Sequence, residues 1–331
     1  MIITKTPFRI SFFGGGTDYP AHYREHGGQV LATSINKYCY ISCRVLPPFF
    51  DHKFRVAYSR IENTKTINEI NHPAVRGVLN YLSVSQGLEI HHDGDLPARS
   101  GLGSSSSFTT GLLNAVHAIQ GKMVSKYELA MQAIEIEQNI IGEKVGSQDQ
   151  IMAAVGGFNH VLFNIDGSIQ VKPVVFSEEK KNLLNDHLLM FFSGISRNSQ
   201  DITKQKLVNI IKKPTDVSAL GEMVEEALSI LGSQNNNILD FGYLLNEAWK
   251  LKRALSSNIS NDTIDLIYKT ALANGAIGGK LMGAGGGGFI CFFAPPERHK
   301  GIRNALANYI HVPFKFEKAG STICVYEPQG F

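Results

Sequence analysis

Glycine is unevenly spread along this 331-residue chain and gathers in three clusters: Gly14-Gly15-Gly16, Gly101-Leu102-Gly103 and Gly283-Ala284-Gly285-Gly286-Gly287-Gly288. The total of 32 exceeds the roughly 7% of an average protein. A glycine run is costly in backbone entropy, so it is expected where the main chain turns tightly or approaches another body closely. The fold must therefore bring its strands and helices to three such loops.

The segments between the clusters read as ordinary α+β material. Ile2–Ile3 and Phe8–Phe13 are short apolar stretches, and the alternation through Val30–Val45 predicts strand pairing until Pro47-Pro48 breaks it. Pro73–Gln86 has helical spacing, and Leu88–His92 reads as a further strand. Ser104–Ile119 places Phe108, Leu112, Leu113, Val116 and Ile119 on one helical face. Ser125 and Glu128 form a capping box that opens a helix to about Ile141, stopped by Gly142. A shorter helix follows at Asp149–Val155, then strands at Phe158–Phe163 and Ile169–Val175. The polar stretch Ser177–Asp186 divides the chain into two expected units, 1–180 and 181–331. In the second, Leu188–Phe192, Phe289–Phe293 and Ser321–Tyr326 read as strands. Val217–Leu231, Leu239–Leu255 and Thr263–Asn274 read as helices, which predicts a compact α+β unit.

Several classes are excluded. Lys+Arg exceed Asp+Glu by only three, too even a balance for a nucleic-acid footprint. The uncharged run Ser100–Gly121 is long enough for a membrane span but too polar, and Met1–Ser11 lacks the apolar core of a signal peptide. Cys39, Cys43, Cys291 and Cys324 show no metal-like spacing and read as buried free thiols. A cytoplasmic protein without nucleic-acid or membrane partners is expected. His91-His92 invites a metal reading, but neighbours on a strand point to opposite faces. Trp249, on an amphipathic helix, reads as core or interface.

The segment Pro97-Ala98-Arg99-Ser100-Gly101-Leu102-Gly103-Ser104-Ser105-Ser106 carries the most chemistry. Its glycines let the backbone approach a ligand, and its serines open a helix whose free N–H groups and dipole favour an anion. Serine hydroxyls can bind phosphate or join the oxygen ligands of magnesium. The alternative is a serine-capped helix after a turn. No Gly-Lys-Ser/Thr follows, so this is not a Walker A loop. Gly283–Gly288 satisfies Gly-x-Gly-x-x-Gly, yet a helix is expected before it and a strand after it, the reverse of the dinucleotide-binding order. It either lines a site, through Gly283, Gly285, Gly286 and Gly287, or lets a helix and strand pack tightly. Gly14–Gly16 leads into Thr17-Asp18, a carboxylate suited to accepting hydrogen bonds from hydroxyls.

In this order the three loops resemble the GHMP kinases, a likeness that spans nearly the whole chain. The resemblance implies a two-domain fold, with an N-terminal unit like ribosomal protein S5 domain 2, a ferredoxin-like C-terminal unit and the active site in the cleft between them. It implies ATP wrapped by Pro97–Ser106, with Ser106 standing where alanine is usual, and Mg²⁺ held by Ser105 and Glu137. Glu135 and Glu143 compete for the metal role, Glu135 from a different helical face. Gly146-Ser147-Gln148-Asp149-Gln150 matches the family word that carries the catalytic aspartate, which makes Asp149 base or electrostatic partner, with Arg9 beside the substrate hydroxyl. Galactokinases have Gly-Glu-His-Thr-Asp where this chain has Gly14–Asp18, so two hydroxyl partners are missing and space is opened.

The combination looks most like the D-glycero-D-manno-heptose 7-phosphate kinases, which phosphorylate the anomeric oxygen. Gly16, Thr17, Asp18 and Arg197 are the expected substrate contacts, with Lys172 and Lys280 as further anchors for the sugar's phosphate. Alternatives are the same chemistry on fucose, galactose or a related hexose, and a catalytically silent ligand binder. The oligomeric state is left open, a homodimer included.

Overall fold

The computed structural model describes residues 1–195, 207–208, 210–233 and 237–328. Strand β1 (Ile2–Phe13) runs antiparallel to the long β2 (Gly28–Val45) and carries both apolar stretches in one strand. The intervening Thr4–Pro7 is kept in the sheet by pairing: Thr4 and Thr6 donate side-chain hydrogen bonds to the Gly111 carbonyl and Ser321 Oγ. Pro7, which lacks an N–H, sits at a register shift where a ladder bond is not required.

The far half of β2 pairs with β5 (Leu88–Gly94), which is joined by β3 (Phe54–Ala57, the one parallel pairing among the described strands) and β4 (Ile61–Thr64). The near half pairs with β6 (Phe158–Phe163), followed by β7 (Ile169–Pro173). Helix α1 (Pro20–His26) links β1 to β2, and α2 (Pro73–Tyr81) precedes β5. Helix α3 (Ser104–Ile119) begins and ends where the sequence places it. It lies on β1 and β2, with Leu112 and Leu113 fully buried. Helix α4 (Lys126–Glu135) does not run to Ile141 as one α-helix; it passes into a π-helical turn, Ile136–Ile140, before α5 (Gln148–Val155).

The stretch expected to separate two units is helix α6 (Glu178–Asp186), capped by Ser177, which leads from β7 into a second sheet. That sheet is antiparallel throughout, in the order β11 (Ile310–His311), β8 (Leu188–Phe192), β10 (Phe289–Phe293), β9 (Gly278–Leu281). Helices α7 (Pro214–Gly232), α8 (Leu239–Ala254), α9 (Asp262–Ala273) and α10 (His299–Ala305) accompany it.

Two expectations change here. A strand, β9, and not a helix, stands directly before the Gly283–Gly288 loop. All four of its residues are buried and two are glycine, so it has no alternation to read. A Cβ at Gly278 would sit 2.1 Å from the Gly242 carbonyl oxygen, which explains the missing side chain. The loop thus joins two antiparallel strands, and with no helix after it the dinucleotide order still fails. Second, β13 (Thr322–Tyr326) belongs to the first sheet, pairing with β1, and β12 (Phe316–Glu317) pairs with β2. Division at residue 180 therefore leaves the first sheet taking two strands from the far end of the chain.

The two layers meet through aromatic rings. Phe241 of α8 makes edge contacts with Phe12 and Phe13 of β1 at 5.3 and 5.1 Å and also touches Phe293 of β10. Lys280 of β9 adds a polar tie, Nζ donating to the Phe12 carbonyl at 2.6 Å. Trp249 is buried, as expected of core. Of the four cysteines only Cys324, on edge strand β13, is exposed, contrary to the expectation that all are buried. No helix among the described residues is long and apolar enough to cross a membrane.

Candidate active site

A cleft opens where the end of β1, the N-terminus of α3, the start of α5 and the β9–β10 loop converge. Gly101 (φ +85°) and Gly103 (φ +79°) take left-handed conformations on its floor. Gly103 is also the N-cap of α3 and offers no side-chain bond, so the first-turn amides of the serine run carry the dipole's positive end toward the cleft. Gly101, Gly103, Ser104, Ser105 and Ser106 all line it, with Arg99, whose φ of +59° is unusual for a side-chain-bearing residue. Pro97 is exposed outside the cleft, Leu102 points into the core, and Ser100 is buried behind the loop. These three therefore support the loop without lining the cleft, contrary to expectation.

The second glycine loop mostly backs the first. A Cβ at Gly283 would lie 2.5 Å from Gly101 Cα, and one at Gly288 would lie 2.2 Å from the Ser100 carbonyl oxygen. Gly285 packs on Ile259 and Gly287 on Ile195, while the Gly286 amide bonds the Ile259 carbonyl. Only Gly283, with Ala284, reaches the cleft; Gly285, Gly286 and Gly287 serve close packing.

Arg9 and Asp149 meet in the cleft. Arg9 Nε and Nη2 lie 2.8 and 2.6 Å from Asp149 Oδ1, and Nη1 donates to the Gly101 carbonyl at 2.7 Å. Arg9 is buried and Asp149 partly open, in the first turn of α5. The arrangement can hold a carboxylate oriented beside the loop that faces the anion site.

Glu137 comes from the π-helical turn and is completely buried at the edge of the same cleft. Its Oε2 accepts from Ser106 Oγ (2.8 Å) and Gln150 Nε2 (2.5 Å), and its Oε1 from Thr109 Oγ1 (2.9 Å). Burial pushes its carboxyl up to about 7, against the hydrogen bonds, which favour the charged form. Three donors leave room for a further partner at the carboxylate's roughly four lone-pair sites. With the exposed Ser105 hydroxyl nearby in the lining, this all-oxygen donor set fits Mg²⁺. Glu135 is exposed and bonded to Asn139, and Glu143 does not line the cleft, so neither competitor shares this position.

At the opposite end, Asp18 is buried with Oδ1 accepting from the Gly16 amide at 2.8 Å. A Cβ at Gly146 would lie 1.9 Å from Asp18 Oδ2, so the glycine of the Gly146–Gln150 word admits that carboxylate. Thr17 and Gly16 do not line the cleft: Thr17 Oγ1 accepts from the Gln29 amide and lies 2.8 Å from the Gly14 carbonyl, knitting the turn together. Lys172 is exposed on β7, outside the cleft. Arg197 lies outside the described residues. Lys280 lines the cleft.

The sequence reading missed Ser11, Gln148 and Lys252 as lining residues. Lys252 Nζ donates to the Leu281 and Gly283 carbonyls at 2.8 and 2.7 Å. Its signal was legible: a lysine continuing the apolar stripe Leu245, Ala248, Trp249 of α8.

Comparison with known proteins agrees with this geometry. Residues 68–157 match the GHMP kinases N terminal domain, and residues 217–311 match the GHMP kinases C terminal model. The D-glycero-alpha-D-manno-heptose 7-phosphate kinase of Campylobacter jejuni is 30% identical over 96% of this chain and 97% of its own. The galactokinase of Pyrococcus furiosus is 24% identical over 92% of both chains. The crystal structure of a D-glycero-D-manno-heptose 1-phosphate kinase from Bacteroides thetaiotaomicron superposes with a TM-score of 0.74 at 23% identity, covering 99% of this chain and all of that one. The glycine-serine loop, the Arg9–Asp149 pair and the relatives agree: the chain belongs to the GHMP kinase family, as a kinase acting on a sugar hydroxyl.

Proposed function

We propose that this enzyme uses ATP and Mg²⁺ to phosphorylate the anomeric hydroxyl of D-glycero-D-manno-heptose 7-phosphate, giving the 1,7-bisphosphate. The observation that carries the reaction is the contact of Arg9 with both Asp149 and the Gly101 carbonyl, which couples the candidate acceptor end to the candidate phosphate loop. The substrate rests on the 30% identity with the Campylobacter jejuni kinase over nearly the full length of both chains.

Phosphoryl transfer needs in-line positioning and charge stabilisation more than covalent help. Ser104–Ser106 and the α3 amides cradle the phosphates. Ser105 and Glu137 would hold Mg²⁺, which would supply charge neutralisation for the transferred phosphoryl group. Asp149 orients the acceptor hydroxyl and accepts its proton or stabilises its charge, while Arg9 fixes the Asp149 carboxylate. Asp18 accepts hydrogen bonds from the sugar.

The test is ADP release with ATP and Mg²⁺ against heptose 7-phosphate, mannose 6-phosphate, fucose and galactose, with ³¹P NMR of the product. A new anomeric phosphate on heptose 7-phosphate, absent with Asp149→Asn, is the expected result. Turnover of unphosphorylated sugars alone replaces the substrate, and ATP binding without turnover of any sugar makes this chain a silent binder.

A further inference from the structure

Two side chains in the cleft are unexplained by the roles above. Ser11 Oγ and Gln148 Oε1 are buried atoms without a hydrogen-bond partner among the described residues, on side chains that are each 7% exposed. An unpaired buried polar group is costly, on the order of 1–3 kcal/mol, and such groups at a site usually await a ligand. Both residues line the cleft with Asp18 and Gly15. Both also face one point: a Cβ at Gly15 would lie 3.5 Å from Ser11 Oγ and 3.8 Å from Gln148 Nε2. Gly15 has no left-handed φ, so its backbone does not demand glycine; the missing side chain leaves space in front of two polar groups.

We propose that Ser11 and Gln148, across the gap left by Gly15, form a hydroxyl-reading pocket that determines acceptor specificity. The inference rests on the sugar-kinase reading above. The chemistry selects the ligand class. Gln148 turns its donor Nε2 toward the gap and keeps Oε1 as an unpaired acceptor, Asp18 beside it presents carboxylate oxygens, and Ser11 Oγ can donate or accept. A sugar diol both donates and accepts and suits this mixed set, whereas a phosphate brings only acceptor oxygens and sets its negative charge beside the Asp18 carboxylate. The phosphate of a sugar phosphate therefore points away from this corner of the cleft.

The test uses the purified full chain with ATP, Mg²⁺ and D-glycero-D-manno-heptose 7-phosphate, and the same heptose without its phosphate. Ser11→Ala and Gln148→Met each remove one partner, and Gly15→Ala fills the gap with one methyl group at ordinary contact distance. Ser11→Ala and Gln148→Met each raise the KM for sugar about tenfold, the cost of one lost hydrogen bond, and Gly15→Ala raises it similarly by crowding the bound hydroxyl; the KM for ATP is unchanged and no variant melts below the wild type. The factor is the same for both heptoses. An unchanged sugar KM in all three variants, an equal rise in the KM for ATP, or an effect confined to the phosphorylated heptose overturns the assignment. If the wild type turns over neither sugar, the kinase reading fails separately, and calorimetric titration with heptose 7-phosphate decides the pocket. Binding weakened about tenfold by the three variants supports it; equal binding, or none to the wild type, overturns it.

Discussion

Arg9 and Asp149, 140 residues apart in sequence, share one carboxylate oxygen: two nitrogens of the guanidinium converge on Asp149 Oδ1 while the third bonds the Gly101 carbonyl. A lysine at position 9 is a single point donor and cannot reproduce that three-way contact. Asp149→Asn is expected to lower kcat by about 10²–10⁴, the range for a lost acid–base group. Arg9→Lys should lower it in the same sense while leaving the KM for ATP nearly unchanged. The double variant should lose little more than the worse single one, because the pair acts as a unit. Steady-state kinetics of the three proteins measures this; losses that multiply would mean independent roles.

Gly146→Ala places a methyl carbon where Asp18 Oδ2 now sits, at 1.9 Å. Either the carboxylate or the loop must move, and overpacking of this kind costs about 1–3 kcal/mol. The expected outcome is a lower melting temperature together with a raised KM for sugar. A variant with wild-type values in both would show that Asp18 has another place to go.

Thiol chemistry should distinguish the four cysteines sharply. Burial raises the thiols of Cys43 and Cys291 to about 12 and raises Cys39 as well, so none of them forms thiolate near neutrality. Cys324 is exposed. An Ellman titration of the native protein should find one fast-reacting thiol, lost in Cys324→Ser, and four after denaturation.

Acid should weaken the fold through His72. Burial lowers its folded-state value to about 4 from 6.5, with Glu62 opposing and His92 adding to the shift, and its Nδ1 accepts from the Val75 amide at the start of α2. The folded state thus binds fewer protons than the unfolded one. Its contribution is complete above pH 6.5 and is lost as pH falls from there toward 4, up to about 3 kcal/mol in all. Urea unfolding at pH 7.5 and pH 5 measures the loss. His72→Asn, which can still cap the helix, should show a shallower pH dependence.

Local signals were the legible ones. Helix α3 is read correctly because its glycine turn, serine start and apolar face coincide, and of the residues that line the cleft Asp18 is singled out by its own short word, Asp149 and Glu137 by the family resemblance. What depends on distant packing was hidden. Strand β9 is buried on all sides and glycine-rich, so it has no periodicity. Gly285 and Gly287 are glycine because Ile259 and Ile195 press against them, not because a ligand does. Thr17 belongs to a site word but spends its hydroxyl on the Gly14 turn and Gln29. Ser11 and Gln148 gave no signal, since a serine on a strand and a glutamine on a helix are common, and only the shared gap at Gly15 relates them.

The pairing of β1 with β13 bears on what happens to shortened chains. Ile2–Lys5 find their outer neighbours at Thr322–Tyr326, and no described residue lining the cleft follows Ala284. A product clipped before Thr322 keeps every residue described in the cleft lining yet bares one side of β1, and an open strand edge recruits other chains. Damage at the far end of this polypeptide should therefore register first as aggregation in the cell, with chemistry failing only as a consequence.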